Sequence, residues 1–141
     1  TSAPMPVSDP LLDAAKANKH QAIDMANTWS HSSFAHNGGN ENPGVALTMS
    51  GQRLLERVGP DVYFTDLNAC NDFVEGDILA TQVRAKTLVI LGLEDRMTKA
   101  SSGRAVASAI GGARVTELDA CGHSMLSEKP NDVLDALASL I

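Results

Sequence analysis

The chain has 141 residues, 43% apolar and 20% charged, with 17 acidic against 11 basic side chains for a net charge of −6. This composition suits one globular domain and excludes a disordered chain. The acidic balance, with no cluster of Lys and Arg, excludes a nucleic-acid surface. No apolar run approaches the ~18 residues of a membrane span, and the first residues lack the basic and apolar regions of a secretory leader. Cys70 and Cys121 are too few for a disulfide framework. The expectation is a cytoplasmic protein carrying two thiols.

Residues 1–9 read as an extended segment, with Pro4 and Pro6 inside it and Pro10 just beyond. Ser8 or Asp9 is placed to cap a helix that has Pro10 in its first turn, and Leu11, Leu12 and Ala15 give that helix one apolar stripe. Ala22, Met25, Ala26 and Trp29 stand at i, i+3, i+4 and i+7 and predict a second helix. Residues 30–44 form a polar break with turn signals at Gly38-Gly39-Asn40 and Pro43-Gly44. A third helix is expected over 49–58, with Leu54, Leu55 and Val58 inward and Gly59-Pro60 as its stop. Residues 61–68 read as short and mixed, and 72–80 as a last short helix. The first eighty residues thus carry short helices and long connections, with almost no strand signal. They read as a cap lying on something else.

From Gln82 the pattern changes. Residues 87–91 are apolar without alternation, which suits a parallel strand buried on both faces. Residues 100–110 predict a crossover helix with Val106 and Ile110 inward and Gly111-Gly112 as its end. The more polar 114–118 predict a second strand nearer a sheet edge. Pro130 opens a final helix whose apolar set is Val133, Leu134, Leu137, Leu140 and Ile141, with Asp132 and Asp135 on the polar face. The class is α/β. A strand buried on both faces needs a neighbour on each side, and only one is visible. The remaining strands are expected from chain outside this sequence or from a second copy.

Each strand pattern delivers one reactive type of side chain just past its carboxyl end, where open α/β sheets place ligands and chemistry. The first runs into Gly92-Leu93-Glu94-Asp95, the second into Asp119-Ala120-Cys121-Gly122-His123. An Asp followed by a His is the second and third part of a Ser…Asp…His order. The plain alternatives are a turn or capping Asp and an ordinary loop histidine. Glu94 is the nearest rival acid. A Cys121–His123 nucleophile pair is disfavoured, because such pairs are assembled by the fold and not by near-adjacency in one loop. His20, His31 and His36 lack the spacing of a metal set, so no metal is expected. Trp29, with Phe34 and Met49, is a candidate pocket lining. Met97, Ser124 and Met125 are candidate substrate-binding walls next to Asp95 and His123. Core packing is the alternative for all of these.

The residues Lys86-Thr87-Leu88-Val89-Ile90-Leu91-Gly92-Leu93-Glu94-Asp95 and Gly122-His123, followed by Glu128-Lys129-Pro130, resemble the C-terminal half of an α/β-hydrolase. In that family the penultimate core strand ends in G-x-x-D with the triad acid, the last strand is followed by G-H with the triad base, and Glu-x-Pro opens the closing helix. The 28-residue step from Asp95 to His123 is similar to the family's helix-plus-strand interval. Met5-Pro6-Val7 resembles the exit from the strand before the family's cap.

The resemblance implies a helical cap over 1–80 and a core portion over 81–141, with two parallel strands and flanking helices. It implies hydrolysis of an ester or related carbonyl bond of a small molecule, with Asp95 orienting and His123 as general base, and no cofactor. The chain departs from the family in having no G-x-S-x-G. Ser50 lies in Leu47-Thr48-Met49-Ser50-Gly51-Gln52, with no strand before it. The nucleophile and the oxyanion-hole segment are therefore expected outside this chain, in a hydrolase of roughly twice its length, and the chain by itself is expected to be inactive. The alternatives are C–C bond hydrolysis on the same fold and a non-catalytic fragment that binds a ligand or partner.

Overall fold

The computed structural model describes residues 4–140. Thr1, Ser2 and Ala3 of the extended first segment, and Ile141 of the last apolar set, lie outside the described residues. Six helices precede the first strand: α1 (Asp9–Lys16), α2 (His20–Ser30), α3 (Ser33–His36), α4 (Leu47–Glu56), α5 (Val62–Asp72) and α6 (Gly76–Ala80). Then follow β1 (Leu88–Gly92), α7 (Ala100–Ala109), β2 (Arg114–Leu118), α8 (Met125–Glu128) and α9 (Pro130–Ala138). Among the described residues no helix is long and apolar enough to cross a membrane.

α1 begins as its sequence dictates. Ser8 is its extended N-cap, Asp9 and Pro10 fill the first turn and Lys16 the last, favourable ends for the helix dipole. It packs on α2 and α5, and α2 packs on α4. The shared core is Leu11, Ala14, Ala15, Ala22 and Leu67, with Trp29, Tyr63 and Met97 against it. Alanine on the facing sides lets the helices approach closely.

The helical half departs from the sequence reading in three places. The polar break contains α3, whose N-cap Ser32 accepts a hydrogen bond from the Ala35 N–H at 3.3 Å. The stretch read as short and mixed is the 11-residue helix α5. Its start is fixed by a tertiary clasp. Asp61 and Asn18 both adopt left-handed backbone, the Asp61 N–H donates to Asn18 Oδ1 at 2.9 Å, and Asn18 Nδ2 donates back to Asp61 Oδ1 at 2.8 Å. In α4 the inward assignment of Leu54 and Val58 is overturned, since Leu54 is 68% exposed and Val58 is also exposed. The inner face runs through Leu47, Gly51 and Leu55. Leu54 lies about 100° round the helix from Leu55.

The sheet among the described residues has two parallel strands, with Leu88 opposite Arg114 through to Gly92 opposite Leu118. Residues 88–90 are half-buried and 91–92 buried. β1 is thus covered less than its composition predicts, because only one of its edges is paired. Gly103 of α7 brings that helix onto Leu91, and a Cβ at Gly103 would stand 2.3 Å from Leu91 Cδ2. In α9 the inner residues are Val133 and Ala136. Leu134, 63% exposed, and Leu137, also exposed, fall outside the predicted inner set, because the short helix buries only a narrow stripe. Leu118, Cys121 and Val133 form a second small core with Ile90 and Met125 against it.

Both strands end on the same edge, and there the backbones touch. A Cβ on Gly92 would lie 2.3 Å from the Gly122 carbonyl oxygen and 2.6 Å from that of Cys121. Gly92→Ala is expected to lower stability by at least about 2 kcal/mol. Gly111→Ala, where a Cβ meets open space, is expected to be close to neutral. Urea unfolding of the two variants checks the difference.

Candidate active site

After β1 the backbone turns sharply. The Leu93 N–H extends the ladder to the Leu118 carbonyl at 3.0 Å, the Glu94 N–H reaches the Cys121 carbonyl at 2.8 Å, and the Asp95 N–H closes the turn on the Gly92 carbonyl at 3.2 Å. After β2 the chain reverses through Ala120, which takes left-handed backbone at φ 48°, a conformation that strains a non-glycine residue. These two turns bring Asp95 and His123 together. His123 Nδ1 lies 2.8 Å from Asp95 Oδ2. The Asp95 side chain is 5% exposed and that of His123 45%.

Asp95 is held on every side. Oδ1 accepts the backbone N–H groups of Met97 and Thr98, each at 2.8 Å. Oδ2 accepts the Thr98 hydroxyl at 2.9 Å as well as the histidine. Burial alone would raise this carboxyl. The His123 hydrogen bond, the Thr98 N–H, the charge of His123 and the Thr98 hydroxyl outweigh it and leave the carboxyl below its ordinary value. An ionised Asp95 only accepts, so Nδ1 is the nitrogen that donates to it. The Thr98 oxygen is 3.3 Å from the same Nδ1, which puts it on the acid's side of the ring and not on the basic side.

No family model and no curated protein sequence matches the chain. Solved structures do. A thermophilic esterase superimposes with a TM-score of 0.79 at 23% identity, covering 99% of this chain and 52% of the esterase. Est816, an N-acyl homoserine lactone degrading enzyme, gives 0.80 at 16% identity over 99% of this chain and 55% of its own. The enol-lactonase from Burkholderia xenovorans LB400 gives 0.76 at 19% identity over 93% and 48%.

This is the α/β-hydrolase fold.

The chain spans about half the length of the solved α/β-hydrolases it matches. Within this part of the fold the strand ends are pinned by Glu128, which is 1% exposed. Its Oε1 accepts the Gly122 N–H at 3.1 Å and its Oε2 the Ser32 N–H at 3.0 Å. The same turn after α2 takes three more bonds. Ser124 N–H donates to the Ser30 carbonyl at 3.0 Å, Arg96 N–H to the Trp29 carbonyl at 3.3 Å, and Ser33 N–H to Glu94 Oε2 at 2.7 Å. Residues 29–33 therefore hold the loops of both Asp95 and His123. Glu94, the rival acid, is engaged with Ser33.

A cavity of about 560 Å³ opens beside this loop, lined in part by Trp29, Met97 and Thr98. Two of the expected substrate-binding residues, Trp29 and Met97, are thus on one wall system. Ser124 instead opens α8 and binds Ser30, and Met125 packs on the small core of Leu118, Cys121 and Val133. Phe34 and Met49 are exposed, Phe34 lying under the Lys129 ammonium at 5.8 Å. Cys121 is fully buried, and burial pushes its thiol up to about 12, so it is not a nucleophile at neutral pH. His20 pairs with Glu56 and Asp24 at the surface. Among the described residues no cluster of three His, Cys, Asp or Glu could hold a metal.

Thr98 and Glu128 escaped the sequence reading. The Asp-x-x-Thr spacing was the available signal for Thr98. Glu128 was visible only as part of a helix-opening motif.

Two outcomes follow from this geometry. Glu128→Gln replaces one accepting oxygen with an N–H₂ group facing a backbone donor and is expected to cost about 2–4 kcal/mol, read by urea denaturation. Because Asp95 is depressed in the native state, its contribution to stability is present above the ordinary carboxylate range and lost as pH falls through the native value. Thr98→Val removes one stabilising donor, so the Asp95 titration is expected to move upward. Carboxyl ¹³C NMR checks it.

Proposed function

We propose that this chain supplies the acid and base of a serine-type α/β-hydrolase that cleaves an ester or related carbonyl bond of a small molecule, the nucleophilic serine lying outside the chain. The observation that carries the reading is the 2.8 Å Asp95–His123 pair at the ends of adjacent parallel strands. The neighbours in fold, among them esterases and an enol-lactonase, support it. Residues 1–80 serve as the cap. The strands that complete the sheet beyond β1 come from the N-terminal half of the protein or a second copy. The free thiols support a reducing compartment such as the cytoplasm.

In this reading the Asp95 carboxylate fixes the His123 ring with Nδ1 protonated. Nε2 then takes the serine proton as the hydroxyl attacks the carbonyl, and Asp95 stabilises the imidazolium that forms. His123 returns the proton to the leaving oxygen, leaving an acyl-enzyme. Water then attacks the acyl carbonyl as Nε2 takes its proton, and His123 returns that proton to the serine oxygen as the carboxylic acid leaves. The Thr98 hydroxyl and the two backbone N–H groups keep Asp95 ionised throughout.

A second reading is a non-catalytic ligand-binding fragment. It is favoured by the lack of G-x-S-x-G and by the fact that, among the described residues, no serine hydroxyl is hydrogen-bonded to His123. Hydrolysis of p-nitrophenyl esters by the complete protein that carries this chain separates the two. His123→Ala and Asp95→Asn are each expected to lower kcat by about 10⁴-fold. Rates equal to the parent in both variants would remove the pair from the mechanism, and retained ligand binding without turnover in the parent would favour the second reading.

A further inference from the structure

The cavity beside the Asp95 loop has an electrostatic character opposite to that of the protein. The chain carries 17 acidic residues against 11 basic ones, yet among the described residues no Asp or Glu lines this cavity, while Arg96 and Lys99 both do. Several of the other cations are already engaged. Arg104 pairs with Glu117 and Lys129 with Glu41, Arg114 and Lys86 bind backbone carbonyls, and Lys16 lies over Phe64. Among the described residues the Arg96 guanidinium and the Lys99 ammonium make no hydrogen bond or ion pair. The wall between them and the protein core is apolar, built from Leu11, Trp29, Leu67 and Met97.

We propose that this cavity binds an apolar ligand bearing a carboxylate, with Arg96 and Lys99 receiving the anionic end and the Trp29 wall receiving the hydrocarbon. A guanidinium presents paired donors matched to the two carboxylate oxygens, and the lysine adds a second positive charge. Thr98 lines the cavity and also contacts Asp95 and His123, so one residue separates the cavity from the acid–base pair. The substrate role of that ligand rests on the hydrolase reading, and it narrows the substrate class to carboxylate-bearing esters or lactones. Binding itself does not depend on turnover.

The test uses the complete protein carrying this chain and two probes of equal length, hexanoate and hexanamide. Equilibrium dialysis of labelled hexanoate measures occupancy, and Trp29, which lines the cavity, gives a fluorescence signal read as the difference from a Trp29→Phe variant. Hexanoate is expected to bind about tenfold tighter than hexanamide at low salt. In Arg96→Gln/Lys99→Gln that ratio is expected to fall to about one. Equal affinities in the parent, an undiminished ratio in the double variant, or no retained hexanoate at about 10 mM would each overturn the proposal. In parallel, the p-nitrophenyl half-ester of glutaric acid is expected to be hydrolysed with a kcat/KM about tenfold above that of p-nitrophenyl butyrate. Binding without any ester turnover would defeat the hydrolase reading and leave the anion site standing. Turnover without carboxylate preference would defeat the anion site alone.

Discussion

A buried carboxylate with two backbone donors organises this molecule. Glu128 sits where no solvent can screen it and accepts from Gly122 at the end of one catalytic-type loop and from Ser32 in the turn after α2. A buried carboxyl oxygen left without a donor is costly to keep, so both donors must stay in place. The requirement propagates. Gly122 can hold its place only because Gly92 has no side chain, and a Cβ on Gly122 would itself collide with the Ser30 carbonyl at 2.6 Å. The ends of β1 and β2, the turn after α2 and the start of α8 are therefore one packed unit.

The Asp95–His123 pair inherits its geometry from that unit. Asp95 leaves β1 three residues after Gly92, and His123 follows Gly122 directly. Neither loop has freedom to drift, because residues 29–33 bond to both. Within the acid loop, Thr98 occupies the acid oxygen that the histidine also uses and approaches the same ring nitrogen. The result is one ring orientation and one tautomer, with Nε2 directed away from the acid. The helical half is thus a supporting wall for the site.

The strands, the crossover helix, and the positions of Asp95 and His123 were legible because each is written locally. An apolar run closed by a glycine turn gives β1, and a stripe ended by Gly111-Gly112 gives α7. The faces of α4 and α9 were not legible. Their leucines satisfy helical periodicity, but Leu54, Leu134 and Leu137 stay exposed, and periodicity reports amphipathicity without naming the surface that covers it. α5 was missed because its start is set by Asn18, 43 residues away. Glu128 was missed for the same kind of reason: its function depends on Ser32, 96 residues upstream, and a Glu before Lys-Pro looks like a solvated charge.

That separation has a consequence for synthesis. Helices α1 and α2 can form as soon as they leave the ribosome, but the turn after α2 waits with its Ser32 amide unclaimed until residue 128 emerges. Until then the loop that carries His123 lacks one of its anchors on that turn. A nascent chain halted before α8 would hold the acid and the base without the carboxylate that fixes their loops.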